Sequence, residues 1–153
     1  DSVSGQKINV GLKWPNDLLI NNKKICGILI ESEINGDNND FIIGIGINYS
    51  LPQKESWWGD IGDLAGILPR EKLINSILKK ITFYAENGYQ NWKSAWEKRC
   101  IHMGKEIKAI SNNQNEYELG KFKGINEEGK MLLKTKNELK IISSGECSIK
   151  GIY

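Results

Sequence analysis

Arginine is almost absent from this sequence: Arg70 and Arg99 are the only two among 21 basic residues. Planar guanidinium forks are the usual grip on phosphate and nucleic acid, so phosphate chemistry here leans on lysine or backbone. The net charge of +2 is near average and marks out no nucleic-acid face. Histidine occurs once, at His102, without a serine or cysteine partner in a recognisable motif; it reads as structural rather than as half of a nucleophile and base pair. The three cysteines, Cys26, Cys100 and Cys147, are odd in number, far apart and in no metal-ligand spacing. They read as buried or half-buried free thiols, which points to a reducing cytoplasm. The apolar runs, such as residues 41–47, are too short to span a bilayer, and no charged and apolar leader opens the chain. No membrane partner is expected.

What is present is enough for a core: 153 residues, 39% hydrophobic and 26% charged. The sequence starts at Asp1 without a methionine and enters strand-like residues at once, so an upstream segment is expected. Short runs rich in Ile, Val and Leu at residues 7–13, 17–20, 23–34 and 41–49 read as strands, with Asn21-Asn22 as a tight turn. The dense apolar content of residues 25–30 and 42–47 predicts strands covered on one or both faces. Pro69 is placed as a first helical residue, followed by Leu73, Ile74, Ile77, Leu78, Ile81 and Tyr84 at helical spacing. A second helix is expected over residues 89–99, with Trp92 and Trp96 as core aromatics. From Met103 onward, short alternating strands suggest a small antiparallel barrel, with hairpin turns at residues 127–130 and 136–137. The fold class is thus α+β: a mixed or antiparallel sheet with packed helices, then a small barrel.

Three segments carry the chemistry. Lys13-Trp14-Pro15-Asn16-Asp17-Leu18 packs a cation, an amide and a carboxylate into one connection, which suits an anionic, metal-bound ligand. By composition alone it also reads as an exposed polar turn. Lys24 opens an apolar strand with Gly27 in its interior, and interior strand glycine often marks close approach of a ligand or another backbone. A solvated Lys23-Lys24 pair at a hairpin is the plainer alternative. Ile43-Gly44-Ile45-Gly46-Ile47-Asn48 lacks the third glycine and following helix of a dinucleotide fingerprint. Its glycines share one strand face, leaving it flat enough for a planar ring beside Asn48; taken singly, a tightly packed strand is the favoured reading.

In this order, with the middle segment running Lys24-Ile25-Cys26-Gly27-Ile28-Leu29-Ile30-Glu31, the three segments closely resemble the catalytic core of biotin protein ligases. Trp96-Glu97-Lys98 is similar to the end of that family's catalytic domain, and the barrel to its SH3-like C-terminal domain. The resemblance implies a catalytic part over residues 1–101 and a terminal domain over 102–153. It implies ATP-dependent formation of biotinyl-5′-AMP, then biotin transfer to a lysine of a biotin carboxyl carrier protein. By the same resemblance Lys24 would contact the biotin carboxylate and the adenylate phosphate, with Gly27 and Ile28 lining the biotin pocket. Lys13, Asn16 and Asp17 would serve the phosphates and Mg²⁺, with Asp17 the metal ligand. Gly44 and Asn48 would serve the adenine nucleotide, and Lys150, after Gly145-Glu146, would stand where arginine is usual.

The family's Gly-Arg-Gly-Arg-Arg-Gly loop has no counterpart in residues 1–153. The expectation is therefore a fragment of a longer ligase with little activity alone. A lipoate ligase relative and a non-catalytic module docking the acceptor protein are the rival readings, and a homodimer through the sheet stays open.

Overall fold

The computed structural model describes residues 2–3, 6–35, 38–52, 56–62, 69–111, 116–145 and 147–150. The chain forms two compact units, Asp1–Val10 with Asn16–Gln90, and Gly11–Pro15 with Asn91–Tyr153.

In the first unit, β1 (Ser2–Val3) pairs with β2 (Gln6–Lys7). The chain passes to the second unit within β3 (Val10–Lys13) and returns at β4 (Asp17–Ile20). Asn21 and Asn22 take φ of 50° and 61°, the left-handed region that asparagine tolerates, and so reverse the chain into β5 (Lys23–Asn35). β5 then runs antiparallel to β6 (Asn38–Ile47), from Cys26 opposite Ile47 to Asn35 opposite Asn38. The looser turn expected at residues 35–39 lies partly outside the described residues.

The β4–β5 register contains a bulge. Leu18 faces Cys26 and Leu19 faces Lys24, so Ile25 is the extra residue. Strict alternation would send Ile25 and Cys26 to opposite faces, yet both are buried, together with Leu19.

Farther along the hairpin the expected cover is missing among the described residues. Leu29, Ile30, Phe41, Ile42 and Ile43 are all exposed, Phe41 at 64%. Apolar density records a preference for burial; it does not place the covering surface in the same polypeptide.

Helix α1 (Arg70–Asn87) forms as expected, but Pro69 stands outside it as the N-cap, with an extended ψ of 142°. No residue of α1 is buried. The second helix, α2 (Trp92–Glu97), is shorter than expected because Asn91 takes a left-handed φ of 59°. Trp96 packs against the core of the second unit, whereas Trp92, on the first helical residue, stays exposed.

The expected small barrel is a five-stranded antiparallel sheet made of β7 (Glu106–Ser111), β8 (Tyr117–Ile125), β9 (Met131–Lys134), β10 (Leu139–Ile142) and β11 (Cys147–Lys150). Its order is β10-β9-β8-β7-β11, and the outer strands are not hydrogen-bonded to each other among the described residues. Period-two alternation sends Ile107, Ala109, Phe122, Met131 and Leu133 inward. Asn126 makes the β8–β9 turn, its carboxamide oxygen accepting from Glu128 N–H and Lys130 N–H while Gly129 takes φ 75°. Gly124 is required by space and conformation: φ is 122°, and a Cβ there would collide with the Glu97 carboxylate that accepts from Ile125 N–H.

All three cysteines are free and buried. Burial pushes the Cys100 thiol up to about 11 and raises that of Cys26, so both stay protonated near neutrality.

His102 is fully buried against Phe122, and neither ring nitrogen has a hydrogen-bond partner among the described residues. Burial first, then Lys13 and Lys105, push its pKa down from 6.5 to about 4. The folded ring is neutral, while the unfolded chain takes up a proton below about 6.5. This contribution is therefore complete above pH 6.5 and is lost as pH falls toward about 4, amounting to about 3 kcal/mol. Urea unfolding at a series of pH values should show the wild type losing about 3 kcal/mol more than His102→Leu across this window. Parallel pH profiles would show that His102 does not govern the acid response.

Candidate functional site

The bulge at Ile25 arranges the first group. Residues 24 and 27 fall on opposite faces of a regular strand, but one extra residue brings them to the same face. Asp17 stands directly opposite Gly27, and the Lys24 ammonium reaches across to its Oδ1 at 2.6 Å. Gly27 leaves the space this requires: a Cβ there would lie 3.3 Å from Lys24 Nζ and 3.5 Å from Asp17 Oδ1. The side chains of Lys24 and Asp17 are 34% and 15% exposed, so the pair is half-sheltered yet accessible to a ligand.

Asn16 donates its side-chain amide to Ile28 O at 2.6 Å, and its own carbonyl accepts from Ile28 N–H at 3.0 Å. Asn48 donates its Nδ2 to Lys24 O (3.1 Å) and Gly59 O (2.9 Å), so its amide hydrogens are committed to backbone. Gly44 faces Leu29 across the hairpin, while Gly46 faces Gly27. A Cβ on Gly44 would meet nothing closer than 3.7 Å, so packing alone does not demand glycine there.

The sequence reading missed the segment that fixes Lys24 from the other side. Lys24 N–H donates to Trp57 O at 3.0 Å, and Lys24 O accepts from Gly59 N–H at 2.9 Å. Gly59 passes so close that a Cβ would sit 2.9 Å from the Lys23 Cβ. Buried Asp60 accepts from Leu51 N–H at 2.8 Å. The only local signal was the string Trp57-Trp58-Gly59-Asp60, whose two indoles contact edge-on.

The Lys13-Trp14-Pro15-Asn16-Asp17 string is divided between the units, Lys13, Trp14 and Pro15 belonging to the second. There Leu12 joins the Cys100 region through Leu12 N–H to Arg99 O and Ile101 N–H to Leu12 O, each 2.9 Å. Trp14 is buried and donates its indole N–H to Gly129 O at 3.1 Å. Lys150 ends β11, and Glu146 lies outside the described residues.

Residues 102–150 match the family model described as biotin protein ligase C-terminal domain, and residues 2–48 match the biotin/lipoate A/B protein ligase family. The chain belongs to the biotin protein ligase family. It is 34% identical to the bifunctional ligase/repressor BirA of Bacillus spizizenii, over 93% of this chain and 47% of the relative. To the BirA of Escherichia coli it is 27% identical over the same shares. The chain thus spans about half the length of these curated relatives. The crystal structure of the Aquifex aeolicus biotin protein ligase superposes with a TM-score of 0.76 at 28% identity, covering 94% of this chain and 65% of that one. The same ligase in complex with biotin and ATP gives 0.73, covering 92% and 62%.

No group of three or more His, Cys, Asp or Glu able to hold a metal occurs among the described residues. Asp17 offers one carboxylate, partly occupied by Lys24. Such a donor suits Mg²⁺ arriving on nucleotide phosphates, which keeps most of its ligands from phosphate and water, rather than a resident ion.

Asn48→Ala should cost the first unit about 1–2 kcal/mol in urea unfolding, because Gly59 O loses a donor and Lys24 O loses one of two. Amide exchange at Lys24 and Gly59 should accelerate with it. Unchanged protection at both amides would show that the Asn48 bonds do not hold this loop.

Proposed function

We propose that this chain supplies the lysine-centred part of the site of a biotin protein ligase that activates biotin with ATP and passes it to a lysine of a biotin carboxyl carrier protein. The observation that carries the reading is the Lys24 ammonium, held over Gly27 and beside Asp17 where the apolar run of residues 25–30 begins. In the first step a biotin carboxylate oxygen bonds to the α-phosphorus of ATP, and the bond to pyrophosphate breaks. In the second, the acceptor amine bonds to the acyl carbon, loses a proton, and AMP departs.

Both steps gather anionic charge, and Lys24 is the point charge that meets it. Its backbone is pinned through both N–H and C=O and its ammonium is held at Asp17, so less freedom is lost on binding. Gly27 and Ile28 line the biotin side. Lys13, Asn16 and Asp17 serve the phosphates, and Asp17 would hold Mg²⁺, which would screen phosphate charge. Asn48 serves the adenine through its carbonyl oxygen, since its amide hydrogens are committed, and Gly44 leaves the strand thin beside the ring. The terminal domain is read as residues 102–153, after a catalytic part at 1–101. The activity is that of the longer ligase, with little expected of this chain alone.

Calorimetric titration with a non-hydrolysable biotinyl-5′-AMP mimic tests the reading. Removing a charge-assisted contact costs about 1.5–3 kcal/mol, so Lys24→Ala should bind about ten- to a hundredfold more weakly than wild type, with His102→Leu unchanged. Equal binding by wild type and Lys24→Ala, or no binding by folded wild type, would remove Lys24 as the centre of the site.

A further inference from the structure

The outward face of the second unit's sheet alternates lysine with exposed apolar side chains. Ile107, Ala109, Phe122 and Leu133 point into the core, so their strand neighbours point out. In register, Glu106 faces Lys121, Lys121 faces Lys134, and Lys134 faces Leu139, giving one row across four strands. Beside it, Lys108 faces Leu119, and its ammonium lies 4.0 Å over the Tyr117 ring. Leu119 and Leu139 are 60% and 53% exposed.

Two lysines directly opposite one another destabilise a sheet, and neither Lys121 nor Lys134 has an ion pair among the described residues. Elsewhere in this unit Lys93, Lys130 and Lys140 are paired with Glu127, Glu128 and Glu118. Apart from Glu106, these acids are spent away from this face.

We propose that this face docks an acidic protein surface with an apolar centre. Leu119, between Lys108 and Lys121, and Leu139, opposite Lys134, set exposed apolar side chains beside charge, the mixture from which a protein interface is built. A second copy would set lysine against lysine. Nucleic acid is disfavoured because neither arginine lies on the face and the Tyr117 ring is already covered by the Lys108 ammonium. A membrane surface is disfavoured by Glu106 within the row and the lack of tryptophan there. Glu106 instead gives the partner one basic residue to match, which fixes register.

The test is amide-shift mapping of the ¹⁵N-labelled chain titrated with a peptide of alternating glutamate and leucine, with oligo-dT and phosphatidylserine vesicles in parallel. The peptide should shift amides of β7 to β10 around Lys108, Leu119, Lys121 and Leu139. Lys121→Glu with Lys134→Glu should weaken it about tenfold or more. Lys72→Glu with Lys79→Glu on α1, an equal change in net charge, should leave it unchanged, and Leu119→Ser with Leu139→Ser should weaken it at constant charge. Lys134→Glu alone should raise the melting midpoint by about 1–4 °C by ending the like-charge opposition, which also shows the variant folded. The idea fails if the shifts map elsewhere, if the α1 variant weakens the peptide equally, if oligo-dT or vesicles compete better, or if the chain dimerises through this face.

Discussion

One extra residue in β5 sets the geometry of the candidate site. Without the bulge at Ile25, Lys24 would leave the face occupied by Asp17 and Gly27, and the 2.6 Å ion pair could not form. The same residue lets Ile25 and Cys26 both turn inward, anchoring the strand just where its polar end must stay accessible. The backbone of Lys24 is then fixed by Trp57, Gly59 and Asn48. A flexible side chain thereby begins from a rigid base, which is what a positioned charge requires.

Gly27 and Gly59 show two uses of a missing side chain. At Gly27 the space is filled by the Lys24 ammonium; at Gly59 it lets a loop run against Lys23. Neither depends on unusual φ; both depend on close approach. Asn48 adds a third device, spending its amide hydrogens on the backbone oxygens of Lys24 and Gly59.

Much of the architecture was legible because it is local. Asn21-Asn22 reverses the chain through its own tolerance of positive φ, the spacing of Leu73 to Tyr84 makes α1, and Asn126 to Lys130 makes a self-capped turn. The length of α2 was misjudged because Asn91 halts helical dihedrals just ahead of Trp92. Cover over β5 and β6 was misjudged because an apolar run states only a preference for burial.

The sequence by itself determined the elements, the family and the chemical character of the candidates, since side-chain period, turn residues and the order of three motifs are properties of neighbouring residues. Only the tertiary structure decided that Lys24 and Asp17 meet over Gly27, that Trp14 is bonded to a carbonyl 115 residues away, and that a two-tryptophan loop braces the lysine. Those outcomes depend on strand register and on contacts between distant segments. One shifted residue exchanges the two faces of a strand, and no local pattern records where that shift will fall.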